Sequence, residues 1–282
     1  MASKRSQIKI PQGVDDRYLR RLYASTRAKQ ERLFKQDSDR FALVHKLRAS
    51  ALKKDAKAAR VKVPPLGKHI VAEARSTLAV LRKRRPPLPP IIRGHNPTVF
   101  PPYSSTFTSS PAPSGPYMEF VPWAGSPNAS TGQVGSTLVT WGVGAGIIRY
   151  DVELPYYLWA QGTYRLTVTA TVSGIYYLYS PSMFSFAYSW LALNVWADDA
   201  NFAPDYMPQT SNVLCERFLL FPGRDWNYVS GQFQASVEFV AGDAPTPYII
   251  GAGTTQQVIA MDGCIAGMDA DTTINSLDIE LL

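Results

Sequence analysis

The stretch "TYRLTVTATVSG", residues 163–174, alternates without a break. Tyr164, Leu166, Val168, Ala170 and Val172 fall on one side, and Arg165, Thr167, Thr169, Thr171 and Ser173 on the other. Side chains of an extended chain point to opposite faces in turn, so this period of two predicts an antiparallel strand with one buried face. Working outward, the same pattern returns. "MFSFAYSWLALNVW" places Phe184, Phe186, Tyr188 and Trp190 together, "GQFQASVEFVAG" aligns Phe233, Ala235, Val237 and Phe239, and "NSLDIELL" aligns Leu277, Ile279 and Leu281. With "STLVTW", "GIIRYDVEL", "VLCERFLLF", "PYIIGAG" and "QQVIAM", the segment reads as roughly nine or ten short strands separated by Gly, Pro, Asn and Asp. No helical period interrupts them. The segment 117–282 is therefore expected to form an antiparallel β-sandwich, jelly-roll or immunoglobulin-like.

Upstream the chemistry changes. Residues 1–94 carry 25 Lys and Arg against 7 Asp and Glu, whereas 95–282 carry 4 against 15, so a +18 segment precedes a −11 segment. In the first 85 residues apolar positions recur at three and four among Ala, Arg, Lys, Gln and Leu, the signature of helices. One stripe begins with Leu19, Leu22 and Tyr23. A second, Phe41, Val44, Leu47 and Leu52, comes after the capping candidates Asp37 and Ser38 and closes at Pro64 and Pro65. A third runs from about His69 to Lys83. These stripes are narrow and need a partner surface, supplied by self-association, another protein or a polyanion. Between 86 and 116 there are 10 prolines, which predicts an extended linker. The chain thus reads as mainly β: a basic helical arm (1–85), a Pro-rich linker (86–116) and a β-sandwich (117–282).

This division also locates the candidate binding residues. A concentrated positive field attracts polyanions, and its densest clusters are Arg82, Lys83, Arg84 and Arg85, then Lys53, Lys54, Lys57 and Arg60. "RKRR" also fits a nuclear-import cluster, and Lys83, Pro86 and Pro89 fit a proline-recognition ligand; a linker with a basic edge accounts for both. The sandwich holds all six tryptophans and 26 of the 33 aromatics. Most belong to a core, but Trp123, Trp159 and Trp226 stand beside turn residues, where a ring can stack on a sugar or another flat ligand.

Catalytic templates are largely excluded. The sandwich has no histidine and no lysine, so Ser-His and Cys-His pairs, Schiff bases and histidine metal sites have no components there. Glu119, Glu153, Glu216 and Glu238 lie on expected strands with no spacing that pairs two across a cleft. Asp198, Asp199 and the "DADT" at 269–272 read as solvated loop acids, not as a calcium site. No cofactor or metal is expected. Cys215 and Cys264 read as buried free thiols, with a single pairing left open. "MASKRSQIKIPQG" lacks the apolar core of a secretory signal, and no run approaches a membrane span. Cytoplasmic synthesis is expected, with a virion or particle surface as one destination.

A basic arm, a linker and an acidic sandwich resemble, in layout, the coat proteins of small icosahedral viruses. That resemblance implies a non-enzymatic homo-oligomeric assembly protein whose arm holds nucleic acid or another polyanion. The alternative is a fibre- or adhesin-like module that binds a glycan or receptor through its sandwich loops and is anchored by its N-terminal helices.

Overall fold

The computed structural model describes residues 16–58, 98–109, 118–122, 127–158, 160–183, 185–199, 206–242 and 246–282, with isolated positions between 72 and 84. A long helix, α1 (Asp16–Ala58), precedes strands β1 (Thr98–Val99), β2 (Ser105–Ser109), β3 (Met118–Pro122), β4 (Ser136–Leu158), β5 (Gly162–Ser180), β6 (Phe186–Asp198), β7 (Gln209–Leu219), β8 (Gly223–Ala241) and β9 (Thr246–Leu281). The protein is mainly β, and every strand pairing among the described residues is antiparallel.

Two strands organise the sandwich by serving both of its layers. The first half of β9 lies between β4 and β6; its second half lies between β4 and β5. The crossing falls at Asp262 and Gly263, both at positive φ, opposite an irregularity between Gly142 and Gly144 on β4. A bulge of this kind bends a strand and turns its far half in a new direction. One layer therefore runs β2, β4, β9, β6, β7, and the other runs β3, β4, β9, β5, β8. The "GIIRYDVEL" and "STLVTW" segments are one strand, and "PYIIGAG", "QQVIAM" and "NSLDIELL" are another.

The face expected from residues 163–174 is the core face. Leu166, Val168, Ala170 and Val172 of β5 and Ala235, Val237 and Phe239 of β8 meet Leu191, Leu193, Val195 and Ala197 of β6 in one cluster. Two details differ from simple alternation. Thr169, Thr171 and Ser173 are buried as well; Gln234 Nε2 donates to Thr169 at 3.1 Å and Asn275 Nδ2 to Thr171 at 2.6 Å, so long amides cover that side. On β6 the inward set is Ala187, Leu191, Leu193, Val195 and Ala197, and Phe186 and Tyr188 pack in a separate cluster with Ile259 and Met261.

The first two expected helices are one. No Gly or Pro occurs between 16 and 58, so nothing stops the helix at Asp37 or Ser38, which are interior positions and not caps. Its partner is the sandwich itself. Leu22, Thr26, Lys29, Gln30 and Phe34 form a buried stripe at helical spacing, and Leu22 packs with Trp196, Met207 and Ile249. From Lys35 onward the described side chains are exposed or, at Ser38, half-buried. β1 and β2 fall inside the stretch read as linker. Residues 105–109 are proline-free, so they can pair with residues 149–153 of β4 at the sheet edge, where flanking prolines are tolerated. The third expected helix is outside the described residues apart from isolated positions. Among the described residues no helix is long and apolar enough to cross a membrane.

Candidate functional site

The antiparallel register brings aromatic residues from three strands, β4, β5 and β8, onto the outer face of the β3–β8 layer. Trp226 pairs with Tyr177 and Arg224 with Tyr179; Tyr179 in turn pairs with Ile265, which pairs with Trp141. Between them Tyr177 pairs with Gly267, a position without a side chain in the middle of the face. Trp141, Tyr179 and Tyr228 pack on a small base of Val139, Ile175, Tyr177 and Ile265. Trp226 meets Tyr228 edge-to-face at 6.1 Å and is 46% exposed. The Arg224 guanidinium lies 5.9 Å from the Tyr179 ring centre, and Asp269 accepts a hydrogen bond from Thr137 at 2.7 Å. The result is an aromatic platform with an exposed cation, Arg224, beside it and a buried carboxylate, Asp269, beneath the same sheet face.

On the inner side of β8 an open cleft of about 380 Å³ separates it from β7. Each of these strands ends its layer in the described residues. Tyr176, Arg217, Asn227, Ser230 and Phe233 are among its lining residues. Tyr176 donates to Asp225 Oδ1 at 3.2 Å, and its ring centre lies 5.8 Å from the Arg217 guanidinium. Burial raises the Tyr176 phenol above its ordinary range. It also pushes the Cys215 thiol in the cleft up to about 11 and Cys264 to about 12, so both stay protonated near neutrality and offer no thiolate. Both cysteines are free.

A second polar group is closed off beneath α1. Lys29 Nζ lies 2.8 Å from Asp198 Oδ1, and Thr26 donates to Asp198 Oδ2 at 2.8 Å. Beside them Arg149 Nε and Trp196 Nε1 donate to Asp151 Oδ2 at 2.7 and 3.1 Å, and Ser105 donates to Glu153 at 3.0 Å. Desolvation holds Asp151 and Glu153 above the ordinary carboxylate range, and for Glu153 the neighbouring Asp151 charge adds to the rise. Space for this layer comes from Gly251 and Gly253, where a Cβ would run into the Trp196 ring and into the Tyr150 carbonyl and Asp151 carboxylate, respectively.

The four strand glutamates do not converge. Glu153 is under the helix, Glu216 accepts from Tyr188 at 3.2 Å, and Glu238 pairs with Arg165 at 2.7 Å; the Glu119 side chain is outside the described residues. Asp198 and Asp199 are buried helix-docking residues instead of solvated loop acids. Among the described residues no group of three His, Cys, Asp or Glu is placed to hold a metal.

No family model and no curated protein matches the chain. Among solved structures it is similar to the carbohydrate-binding module TmCBM61 in complex with β-1,4-galactotriose, at 10% identity over 64% of this chain and 90% of that one, with a TM-score of 0.21. A xylan-binding domain of family 22 aligns at 11% identity over 60% and 86%, TM-score 0.19. The enzymatically active domain of bacteriophage CBA120 tailspike protein 4 aligns at 12% identity over 64% and 20%, TM-score 0.22.

Of the sequence candidates, Trp226 stands on the platform, while Trp123 and Trp159 are outside the described residues. Lys54 and Lys57 are exposed on α1, and Lys83 and Arg84 are also exposed. Arg60, Arg82 and Arg85, and the side chain of Lys53, are outside the described residues. Tyr228 was legible, since two residues from Trp226 is the same strand face. Tyr177 and Tyr179 were not, because their place beside Trp226 depends on the β5–β8 register.

Proposed function

We propose that this chain is a non-catalytic binding module that takes a carbohydrate on the aromatic platform and is mounted on a larger assembly through its N-terminal helix. The observation that carries this reading is the exposed Trp226 with the half-buried rings of Tyr228 and Tyr179 beside it, set by the strand register over a buried base that includes Tyr177. Aromatic rings accept the apolar face of a sugar, while neighbouring charged groups bond its hydroxyls. Full-length protein is expected to bind members of a glycan panel, and Trp226→Ala to weaken that binding about tenfold, equivalent to ~1.4 kcal/mol. Because Trp226 is substantially exposed, the variant should keep its melting temperature. A panel with no ligand, or equal affinity for the variant, removes the reading.

A second reading, a coat-like homo-oligomer whose arm holds a polyanion, is favoured by the exposed basic surface of the distal half of α1. Phosphate contacts from dispersed lysines give affinity with little sequence preference and a steep salt dependence. Protein purified at low salt should then retain nucleic acid. Lys54→Glu with Lys57→Glu should lower the slope of log affinity against log salt by about two. An absorbance ratio typical of pure protein, with no nucleic-acid binding at low salt, leaves the helix as an anchor only.

A further inference from the structure

At one end of the sandwich the β5–β6 and β7–β8 turns lie side by side, because Ser180 pairs with Gly223 and Ala187 with Leu219. Exposed apolar side chains gather here: Met183 of the first turn is 64% exposed and Phe221 of the second 65%, with Leu220 also exposed, and Phe218, one residue from the end of β7, is 61% exposed. A clustered apolar surface of this size is held in water at a cost and marks a place where something else covers it.

We propose that this end of the sandwich docks into the interfacial zone of a lipid bilayer. Three features point to lipid. Met183, Leu220 and Phe221 sit in the two turns and Phe218 at the adjoining end of β7, so the exposed apolar side chains gather at one end of the sandwich, outside the cleft. Behind them both charge signs are present, Arg217 and Arg224 with Glu216 and Asp225, within residues 216–225; the two guanidiniums lie near the Tyr176 and Tyr179 rings. A collar of both signs suits the phosphate and ammonium of a zwitterionic headgroup. The exposed Trp226 is adjacent, and tryptophan favours the membrane–water boundary. Backbone polar groups of a turn resist the hydrocarbon interior, so insertion stops at side-chain depth. None of Met183, Phe218, Leu220 and Phe221 lines the cleft or belongs to the platform base; Arg224 and Trp226 are shared with the carbohydrate platform, and the test substitutes neither.

The test uses the full chain and sucrose-loaded vesicles of phosphatidylcholine alone, sedimented in roughly 0.5 M salt. Uncharged vesicles and high salt suppress adsorption by the basic arm, leaving the apolar end as the source of binding. Wild-type protein is expected to pellet with the vesicles, and the Phe218→Ser, Phe221→Ser double variant to partition about tenfold less. Both positions are exposed, so an unchanged melting temperature shows that the variant is folded. The proposal is overturned if wild-type protein stays in the supernatant or if the variant pellets equally. It is also overturned if the substitutions convert an oligomer to monomers in ultracentrifugation without changing vesicle binding, since the end is then a protein–protein contact.

Discussion

Val168→Lys is expected to leave the sandwich largely unfolded at room temperature, while Thr167→Lys, one residue away, changes stability by less than about 1 kcal/mol. Val168 is fully buried in the central cluster. An ammonium placed there has no partner within the apolar core, and isolating a charge from water costs several kcal/mol even after local relaxation. A domain stabilised by about 5–15 kcal/mol loses much of its margin to one such change. Thr167 points the other way: its hydroxyl meets Ser236 at 2.8 Å on an exposed face, and it pairs across the sheet with Asp278. A lysine at that position keeps its charge in water and gains a carboxylate neighbour. Urea denaturation of the two variants makes the comparison within a single strand. Equal midpoints would show that β5 does not divide an inside from an outside.

Lys29→Met is expected to cost about 3–5 kcal/mol, the range for breaking a buried ion pair from one side. The loss comes less from the vanished attraction than from the carboxylate left behind, because Asp198 is wholly buried and keeps only its bond from Thr26. Asp198 already sits above the ordinary carboxylate range through desolvation, with Lys29 opposing that rise; removing Lys29 lifts it further. A carboxyl whose folded pKa exceeds its unfolded value contributes stability that is fully present below the unfolded value of about 3.9 and is lost as pH rises through the folded pKa. The deficit of Lys29→Met relative to wild type should therefore be larger at pH 8 than at pH 5. Lys29→Met with Asp198→Asn should recover most of the loss and flatten the pH dependence. A single variant with unchanged melting temperature at pH 8 would mean that α1 does not depend on this contact.

The strands of the core were legible because their period of two survives local exceptions, as in residues 163–174. Their number was misread where one strand serves both layers, since Gly142 and the 262–263 bulge look like turns in sequence and act as bends. The docking of α1 was hidden for a different reason. Thr26, Lys29 and Gln30 are polar and lie outside the apolar stripe that begins with Leu19, Leu22 and Tyr23, and nothing local in sequence marks them as buried; Asp198, 169 residues away from Lys29, supplies the partner. Trp226 was visible as an aromatic beside turn residues; its platform was not, because strand pairing assembles it from residues far apart in sequence.

The double role of β9 carries a consequence for biosynthesis. Its partners β4, β5 and β6 all leave the ribosome before it, and β4 waits across a gap of more than eighty residues, from Leu158 paired with Thr246 to Ser136 paired with Ala270. Until β9 emerges, neither layer has its central strand, and β4, β5 and β6 each present an unpaired edge. Such long-range closure is slow, and an exposed edge recruits other nascent chains. The sandwich is thus committed to folding late, when nearly all of it has been translated, and the interval before that is when its unpaired strand edges are open to pairing with other chains.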